Sequence, residues 1–327
     1  MKLTSHFQNL VRTALFVAAA ALQPVMAQDW QPNAAIKLVV PYPPGGGTDV
    51  VARLMVASVG EALGKPMIIE NRPGANGVVG ANAVFLNKPD GQTLLFGVAD
   101  IISTTPYVNP KPVTFNPDGF SAVAPVATGG YVLIARKENK NSDVAMVVAA
   151  AKEPGASPTY AHWGAGSMSQ MAMELLKLQA GMPSMRAIPY AGSAPTLNAV
   201  LAGQVDYAFV PPGLAAANQA SLRIYAISSA ERIPLLKETP TLKEKGFNIV
   251  ADTWYGVVAP PETPKHVVEA INKAINKSTA SPTFAARLLD MGYVPMSSDP
   301  AKFNSYIKAE NKKWGNVVKD ANLKIEQ

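Results

Sequence analysis

Apolar residues along this chain fall into short unbroken blocks, and between the blocks they recur at three- and four-residue spacing. Residues 36–41 (IKLVVP) form a nearly all-apolar block, broken only by Lys37 and closed by Pro and Gly, which predicts a buried parallel strand. Over residues 49–63, Val51, Leu54, Met55, Val59 and Ala62 share one helical face, and Gly64 and Pro66 predict where that helix stops. A strand at 67–70, a glycine-rich loop at 71–80, a helix at 81–86 and a strand at 93–98 follow. Residues 103–118, rich in Pro, Thr and Asn, read as irregular. Residues 123–136 carry strand-like stretches broken by Gly129-Gly130, and a helix is predicted at 144–152. A second strand–glycine–helix unit runs from Tyr160 to Ala180. Strands at 186–189, 205–210 and 223–228 then enclose a helix at 194–202. A strand at 253–258 and helices at 264–278, 284–291 and 300–320 complete the pattern.

Alternating strands and helices predict parallel-rich sheets flanked by helices. Two such sets without a linker predict two lobes joined by crossing strands. Lobe one is expected to comprise residues 34–129 plus 248–327, because residues 254–258 resume the strand pattern of the first set, and lobe two residues 130–247. Ligands of such sheets bind beyond the carboxyl ends of the strands, where helix N-termini converge.

The N-terminus has a different pattern. Lys2 and Arg12 are the only charges before Asp29, and residues 14–22 are continuously apolar. That run is about half of the ~20 residues a spanning helix needs. Val25 and Ala27 suit a signal-peptidase site, so residues 1–27 are expected to be a signal peptide cleaved after Ala27, directing the protein to the periplasm by the general export route. The chain has no cysteine, which excludes disulfides, cysteine metal sites and a lipid on an N-terminal cysteine. Its net charge of +6 falls to about +4 without Lys2 and Arg12, spread along the chain and without the basic, aromatic-interleaved stripe of a nucleic-acid binder.

The candidate chemistry sits in three loops that join a strand to a helix. In Pro41–Asp49 (PYPPGGGTD), glycines let backbone approach a ligand, Thr48 or Asp49 can cap the helix, and the first free amides favour an anion. Gly46 is expected at positive φ, so that Gly46→Val would be harmful. In Trp163–Met168 (WGAGSM), Ser167 stands at an N-cap position; the spacing is not that of a nucleophile elbow. In Tyr190–Thr196 (YAGSAPT), Pro195 suits the first helical turn. Neither a P-loop nor a dinucleotide fingerprint is present. His162 and His266 lie far apart and outside any metal-ligand spacing, and His162 reads as a structural strand-end residue. Asp49, Asp100 and Asp206 are each placed to cap a helix or to bind a ligand hydroxyl or amine. No cofactor, no metal and no catalytic residue is expected. A serine hydrolase built on Ser167 is the rival enzyme reading.

Taken together these loops resemble the Bordetella uptake gene (Bug) receptors, the periplasmic subunits of tripartite tricarboxylate transporters. The resemblance rests on Pro41–Asp49, Ala52-Arg53, Glu70–Gly74 (ENRPG), Pro89–Leu95 (PDGQTLL), Gly166-Ser167, Pro189-Tyr190, Gly203–Asp206 (GQVD), Pro240–Leu242 and Trp254–Gly256, in order across nearly all of the chain. It implies an α/β two-lobed Venus-flytrap fold of the type II-like kind, working as a monomer. A small carboxylate (dicarboxylate, tricarboxylate, amino acid or aromatic acid) would lie between the lobes, held largely by backbone amides, and pass to the transporter's membrane subunits. A sensor for a membrane kinase is the alternative within the same fold. Expected ligand-binding residues are Tyr42, Pro44, Gly45, Gly46, Thr48 and Asp49 on one wall, and Trp163, Gly166, Ser167, Tyr190, Gly192, Ser193 and Asp206 on the other. Gln170 departs from the pattern, standing where relatives often carry histidine.

Overall fold

A computed structural model describes residues 30–323; the expected signal peptide and its cleavage site after Ala27 lie outside the described residues. The first half runs β1 (Ile36–Val40), α1 (Gly47–Leu63), β2 (Met67–Asn71), α2 (Val78–Phe85), β3 (Thr93–Val98), a π turn (Asp100–Thr104), α3 (Thr105–Val108) and β4 (Ser121–Gly129). Then follow β5 (Val132–Arg136), α4 (Val144–Lys152), β6 (Thr159–His162), α5 (Met168–Ala180), β7 (Arg186–Pro189), α6 (Ser193–Leu201), β8 (Tyr207–Val210), α7 (Pro212–Ala217) and β9 (Leu222–Ile227). The chain closes with β10 (Thr253–Ala259), α8 (Lys265–Thr279), α9 (Pro282–Asp290), β11 (Val294–Pro295) and α10 (Pro300–Asp320).

These strands make two sheets, one ordered β11-β4-β10-β3-β1-β2 and the other β7-β6-β8-β5-β9. Apart from the short edge strand β11, the two orders are equivalent: β2-β1-β3-β10-β4 in one, β7-β6-β8-β5-β9 in the other. In each, three strands pair in parallel. The fourth place is taken by a strand that has just crossed from the other sheet, and it pairs antiparallel with both neighbours. The sheets are therefore mixed rather than parallel-rich. A crossing strand enters against the direction of the βαβ units, which a reading of local pattern does not reveal.

The two crossings run side by side and are tied by one side chain. Ser228, fully buried, accepts a hydrogen bond from the Tyr131 amide at 2.8 Å and donates one to the Ala251 carbonyl at 2.7 Å. Its own amide donates to the Tyr131 carbonyl, and its carbonyl accepts from the Ala251 amide. Gly130 has no room for a side chain, since a Cβ there would lie 2.5 Å from the Ser229 nitrogen.

Helix α10 docks on the first sheet through Phe303, whose ring meets Trp254 edge-on at 5.6 Å. The same ring occupies the space above Gly256, where a Cβ would come within 2.4 Å of it. Residues 103–118, read as irregular, begin instead with the π turn and α3. All five residues of the turn are buried, and Pro106 stands in the first turn of α3, where a missing amide is tolerated.

Replacing Ser228 with Ala leaves the Tyr131 amide buried without that partner. The expected cost is about 1–3 kcal/mol, read as a lower urea midpoint with an unchanged slope.

Candidate ligand cleft

Helix α1 begins where β1 ends, and its start is bare. Gly46 is the N-cap, at φ −75°, and no side chain caps it. The expectation that Thr48 or Asp49 caps this helix is corrected: the helix starts earlier, at Gly47, so Asp49 falls in its first turn. From there the carboxylate reaches back to the Gly45 amide at 2.9 Å. Arg53 holds it at 2.7 and 3.0 Å and Asn71 at 2.9 Å. Burial alone would raise the Asp49 pKa; hydrogen bonds from Arg53, Gly45 and Asn71 outweigh burial and set it at about 2. Asp49 thus braces the loop from beneath, with both oxygens engaged. The left-handed residue is Gly45, at φ +82°, and not Gly46 as expected. Pro44, Gly45 and Gly46 are exposed, while Tyr42 and Thr48 are half-buried.

Helix α5 begins where β6 ends, and its start is filled. Ser167, fully buried, accepts from the Gln170 amide at 3.4 Å, as its N-cap position implied. The Gln170 side chain reaches back to the Gly166 amide at 2.8 Å, the same brace that Asp49 gives Gly45. Gly166 is left-handed at φ +77° and packs closely, a Cβ there lying 3.1 Å from Thr105 Cα. His162 keeps its Nδ1 within the loop, 2.9 Å from the Gly164 carbonyl oxygen. Burial lowers its pKa. Neither residue is arranged as a base and nucleophile.

The turn after β3 closes onto this loop. Asp100, 5% exposed, accepts from Trp163 Nε1 at 3.2 Å and from the Met168 amide at 3.1 Å. The Thr104 hydroxyl meets the Gly166 carbonyl. Burial raises the Asp100 pKa to about 6, although the bonds from Met168 and Trp163 pull it down. Tyr42 feels the same charge: burial and then Asp100 raise its phenol pKa. Trp163 packs against Tyr131 with centroids 5.2 Å apart and ring planes tilted by 55°.

Helix α6 begins where β7 ends. Its N-cap Gly192 is at φ +117° and again no side chain caps the helix. Ser193 is half-buried, and Tyr190 is bound through its amide to the His162 carbonyl at 2.8 Å. Asp206 is not part of this group. It precedes β8 and accepts from the amide and hydroxyl of Thr159, each at 2.8 Å. Both lie at the amino ends of parallel strands, the far edge of the sheet from Trp163 and Gly192. Asp100 was read from the sequence as a helix cap or a ligand-binding acid without being placed on either wall, and its bond from the Met168 amide fits the first of these; Thr104 and Tyr131 were not among the expected site residues.

Among the described residues no group of three or more His, Cys, Asp or Glu is placed to hold a metal, and no helix is long and apolar enough to cross a membrane. Two mixed sheets joined by two crossings, with glycine-rich helix starts at the carboxyl ends of their parallel strands, define a two-lobed solute-binding receptor. The chain belongs to the tripartite tricarboxylate transporter family receptors, whose model matches residues 51–323. It is 29% identical to BugT of Bordetella pertussis over 320 residues, 95% of this chain and 97% of that protein. MatC of Rhodopseudomonas palustris with bound malate is 30% identical with a TM-score of 0.78, over 88% of this chain and 99% of that one. The periplasmic binding protein BugD is 28% identical with a TM-score of 0.77, over 90% and 99%. The family is one of receptors rather than enzymes.

Two outcomes follow from the α1 loop. Gly45→Val is expected to cost at least about 1–2 kcal/mol through its left-handed backbone, with Gly46→Val milder, by thermal melting of both. Because the folded pKa of Asp49 is depressed, its stabilisation is present above the ordinary carboxylate range and lost as pH falls toward 2. Asp49→Asn should be less stable than wild type at pH 7, with the gap narrowing by pH 2 in urea titrations.

Proposed function

We propose that the cleft captures a small carboxylate in the periplasm and that the protein hands it to the membrane subunits of a tripartite transporter, acting as a monomer. The observation that carries this reading is the pair of uncapped helix starts, at Gly46-Gly47 and at Gly192-Ser193, one from each sheet. First-turn amides without partners in the protein are donors for an anion, and the helix dipole adds to their pull. The malate bound by MatC supports an acid of this class, and the BugD relationship together with the apolar N-terminal run supports the periplasm.

In this reading residues 34–129 plus 248–327 form one lobe and residues 130–247 the other, hinged where Ser228 ties the crossings. Tyr42, Pro44, Gly45, Gly46 and Thr48 offer one wall. Trp163, Gly166, Ser167, Tyr190, Gly192 and Ser193 offer the other. Contacts from both walls favour the closed state over the open one, so ligand shifts the population.

A thermal-shift screen of mono-, di- and tricarboxylates, amino acids and aromatic acids tests the ligand class; no stabilisation by any acid would end the proposal. For the best ligand, Ser193→Ala should weaken binding about tenfold or more, the worth of one charge-assisted hydrogen bond. Wild-type affinity in both Ser193→Ala and Gly46→Val, with circular dichroism unchanged, would place the site elsewhere.

A further inference from the structure

The carboxylate of Asp100 is buried without a counter-ion. It takes no part in the ion pairs found among the described residues. Its donors are all neutral: Trp163 Nε1 and the Met168 amide bind its Oδ2, and its own amide adds a third bond. Capping α5 does not call for this charge. Ser167 already caps the helix, and Gln170 already braces Gly166. Joining the two loops does not call for it either, because Thr104 and Gly166 make that bond. A neutral side chain would meet both needs, and a buried charge is costly unless paired.

The surroundings of Asp100 are aromatic. Its charge reaches the phenols of Tyr42, Tyr131, Tyr255 and Tyr293 and raises the pKa of each, secondary in every case to burial. Trp163 packs against Tyr131 beside it with ring planes tilted by 55°, and Tyr255 meets Tyr293 edge-on at 5.2 Å. Aromatic faces carry negative potential and attract ammonium groups. A carboxylate beside such rings suits a cationic nitrogen and repels a second carboxylate.

We propose that Asp100, with Tyr131 and Trp163, forms a subsite for a protonated amine, so that the solute is a carboxylate that also carries an ammonium group. This rests on the carboxylate reading above and adds the chemistry of the ligand's other end. The start of α5 is already filled by Asp100, which leaves the open starts of α1 and α6 to the ligand's acid. Burial raises the Asp100 pKa to about 6; a cation beside it would lower that value and fix the charge.

The test is calorimetric titration, near pH 7.5, of acids paired so that only the amine differs. Each amino acid and ω-amino acid of a panel is set against the same acid without nitrogen, such as aspartate against succinate and glutamate against glutarate. The amine-bearing member should bind at least tenfold more tightly, and Asp100→Asn should weaken it at least tenfold more than its partner. Equal or tighter binding of the amine-free members in wild type overturns the proposal and leaves the carboxylate reading standing. Equal weakening of both members by Asp100→Asn also overturns it, since that is the mark of a purely structural latch. If no acid of either kind binds, the carboxylate reading falls and this inference with it. Should Asp100→Asn fail to fold by circular dichroism, the wild-type pairs decide the matter alone.

Discussion

Every helix begins with amides that its own turns cannot satisfy. In this protein that constraint organises the cleft. Of the three strand-to-helix loops singled out in the sequence, those before α1 and α6 leave the helix without a side-chain cap. The third, α5, is satisfied twice over, by Ser167 from its own loop and by Asp100 from the turn after β3. The contrast is chemical. Open starts present donors with positive potential, whereas the filled start presents a carboxylate among aromatic rings.

The loops hold their shape by a shared device. In α1 and in α5 a first-turn side chain, Asp49 or Gln170, reaches back four residues to the amide of a left-handed glycine. Each bond fixes the turn that brings backbone to the mouth of the cleft. The device recurs because the lobes are topological copies: each sheet carries the same strand order, and each takes its antiparallel strand from the other. The sequence has no matching repeat, so the equivalence lies in hydrogen-bond pattern and chain path alone. Ser228 then binds the two crossings at one point.

Much of this was legible in the sequence because it depends on neighbours along the chain. Strand and helix identities followed from apolar blocks and from three- and four-residue periodicity. The Ser167 cap and the three glycine-rich helix starts followed from residue type and from position after a strand. The family resemblance followed from the same loops. Where the reading of local pattern failed, small displacements were decisive. A helix that starts two residues before Asp49 turns an expected cap into a brace, and moves the left-handed glycine from Gly46 to Gly45.

Other features were decided by tertiary structure alone, because they depend on partners distant in sequence. The direction of β5 and β10 depends on the chain crossing between sheets, which no local pattern encodes. Asp206 and Tyr190 sit near strand ends alike, yet parallel pairing sends one to the amino-end edge of the sheet and the other to the carboxyl-end edge. Asp100 gains its character from Trp163 and Met168, more than sixty residues away. Burial of its charge without a cation is a property of the assembled lobes. The sequence by itself determined which segments could bind an anion; only the fold determined that the negative charge of Asp100 is buried beside Trp163 at the start of α5.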